Sequence, residues 1–346
     1  MLGNMIAKDN EKQIASASWN NRSRFPTYKI KQQPEDFIVR ELASHELDDN
    51  GNYTYFILKK KNYNTLDAIQ LLSKFLRVPI RYIGFAGSKD KNALTEQACS
   101  VYRVPREKLE RLRLKDIELI FIGKGKKPIS LGDLQGNTFK IVIRNLSPLI
   151  KRRKIHSKKI ANYFGKQRFS KSNIDIGRYI VKRNFQKAVE LINQKEVKFH
   201  LEDNPGDFTG AIRNIPLKLR KMYIHAYQAY IWNRTVEEYM KEKPISNEKI
   251  PIVGFGTELL RDKIGAIIKK IMNIEEITQR DFIIKAIPEL SSEGGQRDLF
   301  VTPENLLISE PEEDELNKGK YKLTLGFTLP KGSYATTLIE ELFSTL

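Results

Sequence analysis

Cysteine is all but missing: Cys99 is the single one in a chain of 346 residues. No intrachain disulfide can form, so packing and hydrogen bonds must hold the fold, as expected of a reducing, cytoplasmic setting. Cys99 falls in an extended apolar run, where a buried and inert thiol is expected. Histidine is scarce too, and His45, His156, His200 and His225 are scattered at no spacing that would hold a metal. No apolar stretch approaches the length of a membrane span, and the amino terminus, Met1–Lys12, lacks the apolar region of a signal peptide. There is no Gly-Lys-Ser/Thr phosphate loop and no Gly-x-Ser-x-Gly elbow. Gly254-Phe255-Gly256 lacks the third glycine of a dinucleotide fingerprint. These gaps point away from membranes, metals and redox or nucleotide cofactors; no cofactor, no metal and no obligatory protein partner are expected.

Positive charge is what the chain has in excess. Lys and Arg number 60 against 42 Asp and Glu, a net +18. Such a balance points to a polyanion, and nucleic acid is the better reading than a membrane surface, for which no amphipathic or lipid anchor is present. A lysine-rich composition also accompanies hot habitats. The surplus is local, however, because Lys151–Lys198 holds fifteen Lys and Arg against three Asp and Glu. A solvated helix face would interleave the two signs, so the asymmetry favours phosphate contact. Within it, Asn162-Tyr-Phe-Gly-Lys-Gln-Arg-Phe169 alternates aromatics with cations, as base-stacking surfaces do. The same octet also reads as a helix end capped by Gly165 with its aromatics turned inward. Gly123–Lys127 is a further basic loop. The candidate contacts to an RNA backbone are Lys124, Lys126, Lys127, Lys151, Arg152, Arg153, Lys166 and Arg168. Glu304–Glu315, with six carboxylates in twelve residues, reads as a solvated face away from RNA.

Along the chain, residues 1–22 are polar and aperiodic and read as a flexible tail. Tyr28–Lys31 alternates like a strand, and Phe37 and Val39 share a face of the next one. Tyr53–Lys59 is another strand, which makes Asp48-Asp49-Asn50-Gly51 the hairpin turn between the two. Asn64 or Thr65 caps a helix over Leu66–Leu76, stopped by Val78-Pro79. Strands follow at Phe139–Ile143, Pro251–Thr257 and Tyr321–Thr328, and helices at Arg178–Asn193 and Leu217–Glu242. Tyr227, Tyr230 and Trp232 at near-helical spacing read as core. The order of strand, strand, helix, strand and loop suggests a mixed α/β layer.

The chemistry is concentrated in Ile83–Gln97. An apolar strand end, Tyr82–Ala86, leads into Ser88-Lys89-Asp90-Lys91-Asn92, and the chain returns extended through Thr95-Glu96-Gln97. Gly84 and Gly87 stand where the backbone must bend or admit close approach. Two lysines flanking Asp90 favour its ionised form, leaving it available as a nucleophile. By residue type alone an ordinary turn is the commoner outcome. The string from Gly87 to Gln97, however, resembles the signature Gly-x-Lys-Asp-x-x-Ala-x-Thr-x-Gln of the tRNA pseudouridine synthase D family at all six fixed positions. Lys31-Gln-Gln-Pro-Glu-Asp-Phe37, Leu131-Gly132 with Gly136-Asn137 and Phe139, Asn162–Phe169, and Leu329-Pro-Lys-Gly-Ser-Tyr-Ala-Thr336 resemble further signatures in the family's order. The likeness runs from about residue 27 to the end.

The resemblance implies an α/β (α+β) fold. Its pseudouridine-synthase catalytic domain, a mixed, mainly antiparallel sheet flanked by helices, would comprise 23–172 and 296–346. A family-specific α/β insertion at 173–295 would give a V-shaped molecule. It implies isomerisation of a uridine in RNA, tRNA uridine 13 above all, with Asp90 as the required carboxylate. Lys31 would be the basic partner of Asp90, Phe164 would stack on the flipped uracil, and Asn162 would position the nucleotide. Phe37, Lys89 and Glu96 would support the site. A catalytically silent RNA-binding protein of the same fold is the alternative. A methyltransferase would need a glycine-rich cofactor loop, and a nuclease an acidic metal cluster or a His pair; neither pattern is in the sequence.

Overall fold

The computed structural model describes residues 28–152, 159–170, 172–242 and 247–343. The tail expected at 1–22 and the candidate Arg153 lie outside the described residues. The rest forms two compact units: a sheet unit, Ser23–Lys159 with Thr302–Ala335 and Ile339–Leu346, and a helical unit, Ile160–Val301 with Thr336–Leu338. The helical unit contains the 173–295 stretch and extends past it at both ends, so Asn162 and Phe164 belong to it.

The sheet unit begins with β1 (Phe37–Leu42), β2 (Tyr53–Lys61), β3 (Ile83–Phe85), β4 (Leu94–Tyr102), β5 (Ile117–Gly125) and β6 (Gly136–Leu146). The short strands β7 (Ile160–Ala161), β8 (Lys249–Ile252), β9 (Gly295–Asp298) and β10 (Phe300–Val301) belong to the helical unit. The sheet unit then resumes with β11 (Glu304–Ile308), β12 (Glu312–Glu313) and β13 (Tyr321–Pro330). Its nine-stranded sheet runs β11-β13-β6-β1-β4-β2-β5, with β12 on β13 and β3 on β4. All pairings are antiparallel except that of β1 with β4, so the sheet is mixed and mainly antiparallel, as expected.

That one parallel pairing corrects the hairpin reading. A turn does form at Asp48–Gly51, where the Gly51 amide donates to the Asp48 carbonyl at 2.8 Å. It leads into β2 but does not join β2 to β1, because β4 lies between them. The 43–52 connection is too long to impose a tight hairpin, and β4 offers β1 a better-matched edge. Tyr28–Lys31 is likewise reduced to a single bridge, Lys29 to Arg144. Lys31 has φ +57°, and this left-handed turn ends the extension.

Helix α1 (Thr65–Leu76) follows β2 as the sequence predicts. The Asn64 side chain caps it by accepting the Asp67 amide at 2.8 Å. Its apolar stripe, Ala68, Ile69, Leu72 and Leu76, is fully buried against Phe56 and Leu58 of β2 and Cys99 and Val101 of β4. At about 1.5–3 kcal/mol per large aliphatic side chain, this contact fixes one sheet face as the interior. Gly84 is required by close approach: a Cβ there would sit 2.3 Å from the Ile129 carbonyl oxygen. At Gly87 the nearest atom would be the Lys89 ammonium at 3.8 Å, so close approach does not impose glycine there. The short helix α2 (Arg106–Glu110) precedes β5.

The helical unit contains α3 (Asn173–Val181), α4 (Phe185–Leu191), α5 (Lys195–Asp203), α6 (Phe208–Arg213), α7 (Leu217–Met240) and α8 (Lys263–Ile274); α9 (Ala335–Phe343) ends the described chain. The helix expected over Arg178–Asn193 is broken into α3 and α4 where Arg183 adopts φ +60°. The strand expected over Pro251–Thr257 stops at Ile252, since the Phe255 and Gly256 amides bond to the Ser292 and Glu293 carbonyls in a turn. Helix α7 is buried nearly all round, with Tyr227 0%, Tyr230 5% and Trp232 0% exposed, as core. Gly177 lets α3 approach it, for a Cβ there would lie 2.1 Å from the Tyr223 carbonyl oxygen. Among the described residues no helix is long and apolar enough to cross a membrane.

Candidate active site

Strand alternation decides what faces the site. On β2, Phe56 and Leu58 point at α1, so Lys60 points the same way despite lying in a run of three lysines. On β4 the same face carries Thr95 and Gln97, both buried, and on β1 it carries Phe37, Val39 and Glu41. Over this face lies the loop 86–93 between β3 and β4, which carries Asp90.

Three of the loop's residues are tied to the fold. The Gln97 side-chain amide donates to the Gly87 carbonyl at 2.9 Å and accepts from Thr65 Oγ1 at 2.9 Å, while that oxygen accepts the Lys89 amide at 2.8 Å. The Lys89 ammonium does not face solvent. Its side chain is 7% exposed and paired with Glu41, itself 1% exposed. Lys60 Nζ donates to the Tyr63 carbonyl at 2.6 Å and the Asp90 carbonyl at 3.0 Å. Burial pulls the Lys60 ammonium down to about 8, against the raising effect of Asp90. A cation in an apolar wall is harder to keep charged than one in water.

With the loop's backbone fixed, the Asp90 carboxylate meets Lys31 Nζ at 2.6 Å, in a half-exposed pair. Lys31 also lies 4.1 Å from the Phe37 ring centroid, and that ring is buried edge-on to Phe139 at 6.2 Å. The short segment bearing Lys31 is anchored behind by Arg144, which is buried and bonds Asp36 and Asp314 at 2.9 Å and Glu315 at 3.0 Å. Glu96 lies on the opposite sheet face, 3.3 Å from Arg40 Nε and 4.0 Å from Lys59 Nζ.

In the helical unit, the Asn162–Phe169 octet is neither a helix end nor a plain aromatic surface. Tyr163 and Phe169 are buried, and Phe164 is half-buried. The Phe164 amide donates to Asn233 Oδ1 at 2.9 Å, and Asn233 Nδ2 donates to the Phe164 carbonyl at 3.1 Å. The Phe164 ring meets Trp232 edge to face at 5.5 Å, and the Arg297 guanidinium lies 4.1 Å from its centroid. Arg297 also donates to Asn162 Oδ1 at 2.8 Å and to the Asn162 carbonyl at 2.6 Å. Arg297 and Lys60 are contributors that the sequence reading missed. The alternation of β2 would have found Lys60; nothing local marks Arg297.

Of the basic candidates, Lys124, Lys127, Lys151, Arg152 and Lys166 are exposed. Lys126 is exposed and pairs with Asp48 at 2.5 Å, and Lys151 sits 4.3 Å from the Tyr321 ring centroid. Arg168 is half-buried, 5.9 Å from the Phe164 centroid. Further along the basic stretch, Arg178 bonds Glu275 and Arg183 bonds Asp281, both at 2.8 Å, so part of that charge serves internal ion pairs.

The sequence model of the family described as tRNA pseudouridine synthase D (TruD) matches residues 26–200, 190–250 and 246–342. The probable tRNA pseudouridine synthase D of Methanosarcina acetivorans is 30% identical, over 96% of both chains. The tRNA pseudouridine synthase D of Aquifex aeolicus is 29% identical, over 91% of this chain and 98% of its own. The crystal structure of the putative tRNA pseudouridine synthase D from Methanosarcina mazei superposes with a TM-score of 0.71 at 27% identity, covering 92% of this chain and 93% of that one. A half-exposed Asp–Lys pair on a tied loop, on a mixed sheet superposing so closely, agrees with the sequence match: the chain belongs to the tRNA pseudouridine synthase D family.

Proposed function

We propose that this chain isomerises a uridine of tRNA, uridine 13 by the family resemblance, to pseudouridine, with Asp90 as the nucleophile. The observation that carries the reading is the 2.6 Å contact between Lys31 and Asp90 above a loop whose backbone is tied at Gly87, Lys89 and Asp90. Lys31 aims the carboxylate, and the Phe37 ring limits where the ammonium can move. The carboxylate acts on the nucleoside. The C1′–N1 bond breaks, the uracil turns, C5 bonds to C1′, and the C5 proton is lost as N1 gains one. The products have the composition of the reactants, so no redox partner or energy source enters.

Phe164 is assigned to stack on the extruded uracil and Asn162 to place the nucleotide. Lys89 and Glu96 act from within the fold. Lys89 fixes the loop through Glu41, and Glu96 ties β4 to β1 and β2. The exposed cations at 124, 126, 127, 151, 152 and 166, with Arg168, are assigned to backbone phosphates, which makes tRNA affinity fall steeply as salt rises. The deciding experiment is Asp90→Asn. Pseudouridine formation on an unmodified tRNA transcript should drop by at least about 10⁴-fold while tRNA binding survives. An active Asn variant would remove Asp90 from the role of nucleophile.

A further inference from the structure

We propose that Lys60 is a positioning residue for this reaction: its buried ammonium ties the backbone carbonyl of Asp90 to that of Tyr63 and so holds the carboxylate against Lys31. The inference rests on the assignment of Asp90 above.

Lys60 is 2% exposed, in the middle of Lys59-Lys60-Lys61, whose outer members remain partly exposed. An ammonium has three donors and no acceptor. Here they meet the Tyr63 carbonyl at 2.6 Å and the Asp90 carbonyl at 3.0 Å, with the Lys89 carbonyl at 3.5 Å. Those acceptors come from two segments that nothing else in the immediate cluster joins at Asp90: the β2–α1 connection and the catalytic loop. The loop's other ties are at Gly87 and Lys89. Without Lys60, the residue that bears the nucleophile would have no backbone anchor among these contacts.

An ammonium is an unfavourable choice if packing were all that the position required. Burying a charge is costly, and an apolar side chain of similar volume would fill the same space against Phe56, Leu58 and α1. The charged groups around it do little to offset that burial. Asp90 attracts it, Lys89 repels it, and Cys99 beneath is kept as a thiol by its own burial. Glu41 is engaged by Lys89, Lys31 by Asp90, and on α1 the Thr65 hydroxyl is engaged by the Lys89 amide and Asp67 by the Asn64 cap. What the charge does supply is a short, strong bridge between carbonyls. The ammonium titrates at about 8. Above that pH the neutral amine keeps only two N–H donors and loses the charge that strengthens its hydrogen bonds to the carbonyls, and the bridge slackens.

The test measures kcat, kcat/KM and Kd on an unmodified tRNA transcript, for the full chain, from pH 6 to 10. Wild type should lose kcat/KM above about pH 8, since that ratio reports groups of the free enzyme. Lys60→Arg, whose cation does not titrate in this range, should lack that alkaline limb. Lys60→Met should lower kcat by about 100-fold, as small misplacements of reacting groups do, with tRNA Kd within about twofold of wild type. If Lys60→Met does not fold, the Lys60→Arg profile decides. A Lys60→Met enzyme within about threefold of wild-type kcat, or an alkaline limb unchanged in Lys60→Arg, overturns the proposal. A wild type that forms no pseudouridine, or an active Asp90→Asn, overturns the underlying assignment instead.

Discussion

The two halves of the chain hold their site segments by different means. In the sheet unit the loop with Asp90 is held largely by ions: Lys31 on the carboxylate, Lys60 on the carbonyl, and Lys89 turned inward to Glu41. In the helical unit the turn with Phe164 is held by an amide and by rings. Asn233 bonds both its amide and its carbonyl, Trp232 meets its edge, and Arg297 stacks on it. Arginine does not lose its proton in any accessible range and Asn does not titrate. The difference teaches where pH can act: on the placement of Asp90 and not on the placement of Phe164.

The largest expected effect comes from breaking the buried ion pair. Glu41→Gln leaves the Lys89 ammonium in the interior without a countercharge, and should destabilise the sheet unit by about 3–5 kcal/mol in urea unfolding. If the loss is small, the pair is not what holds the loop. Asn233→Ala leaves the Phe164 amide and carbonyl without that partner, and about 1–3 kcal/mol should be lost. Turnover should fall at every pH by the same factor, and a pH-dependent loss would erase the contrast between the halves.

The Lys60 ammonium gives a subtler signature. It titrates at about 8 when folded against an ordinary 10.5. Between those values the unfolded chain binds the proton that the folded chain has released, so stability should rise with pH across that window. Below it both states are protonated and the burial penalty is fully present. Thermal unfolding at a series of pH values should show this slope in wild type and its loss in Lys60→Met. The smallest effect is expected on the far face of the sheet, where Glu118 pairs with Lys59 at 3.5 Å and is 64% exposed. Glu118→Gln should change stability by less than about 1 kcal/mol and leave product formation intact.

Much of this arrangement could be read from the chain, and the exceptions have physical causes. Asn64, the apolar stripe of α1 and the Val78-Pro79 stop are local signals, and they gave that helix to within a residue. The turn at Asp48–Gly51 was also local, but which strands pair is not. The wrong hairpin came from taking chain neighbours for sheet neighbours. Asp90 and Lys31, 59 positions apart, were joined only through resemblance, since no periodicity links a loop to a segment so distant. Lys60 lies one residue past the strand expected over Tyr53–Lys59, although Phe56 and Leu58 already fix the inward parity that β2 carries on to it. Arg297 follows two glycines and a glutamine, and its rings and carbonyls come from remote parts of the helical unit.

The pairing of β6 with β13, Leu146 opposite Tyr321, sets the order in which the protein can be completed. The Ile160–Val301 part of the helical unit is synthesised between these two strands, so a nascent chain must carry it before the sheet can close. Until β13 emerges, β6 has β1 on one side and an open row of amides and carbonyls on the other, a ready template for pairing with a stray strand. Closing so long a loop is slow, which makes the sheet half the late and aggregation-exposed step of assembly. A ribosome stalled short of Pro330 would release a chain that carries Asp90 and its loop but lacks the strand that completes the sheet.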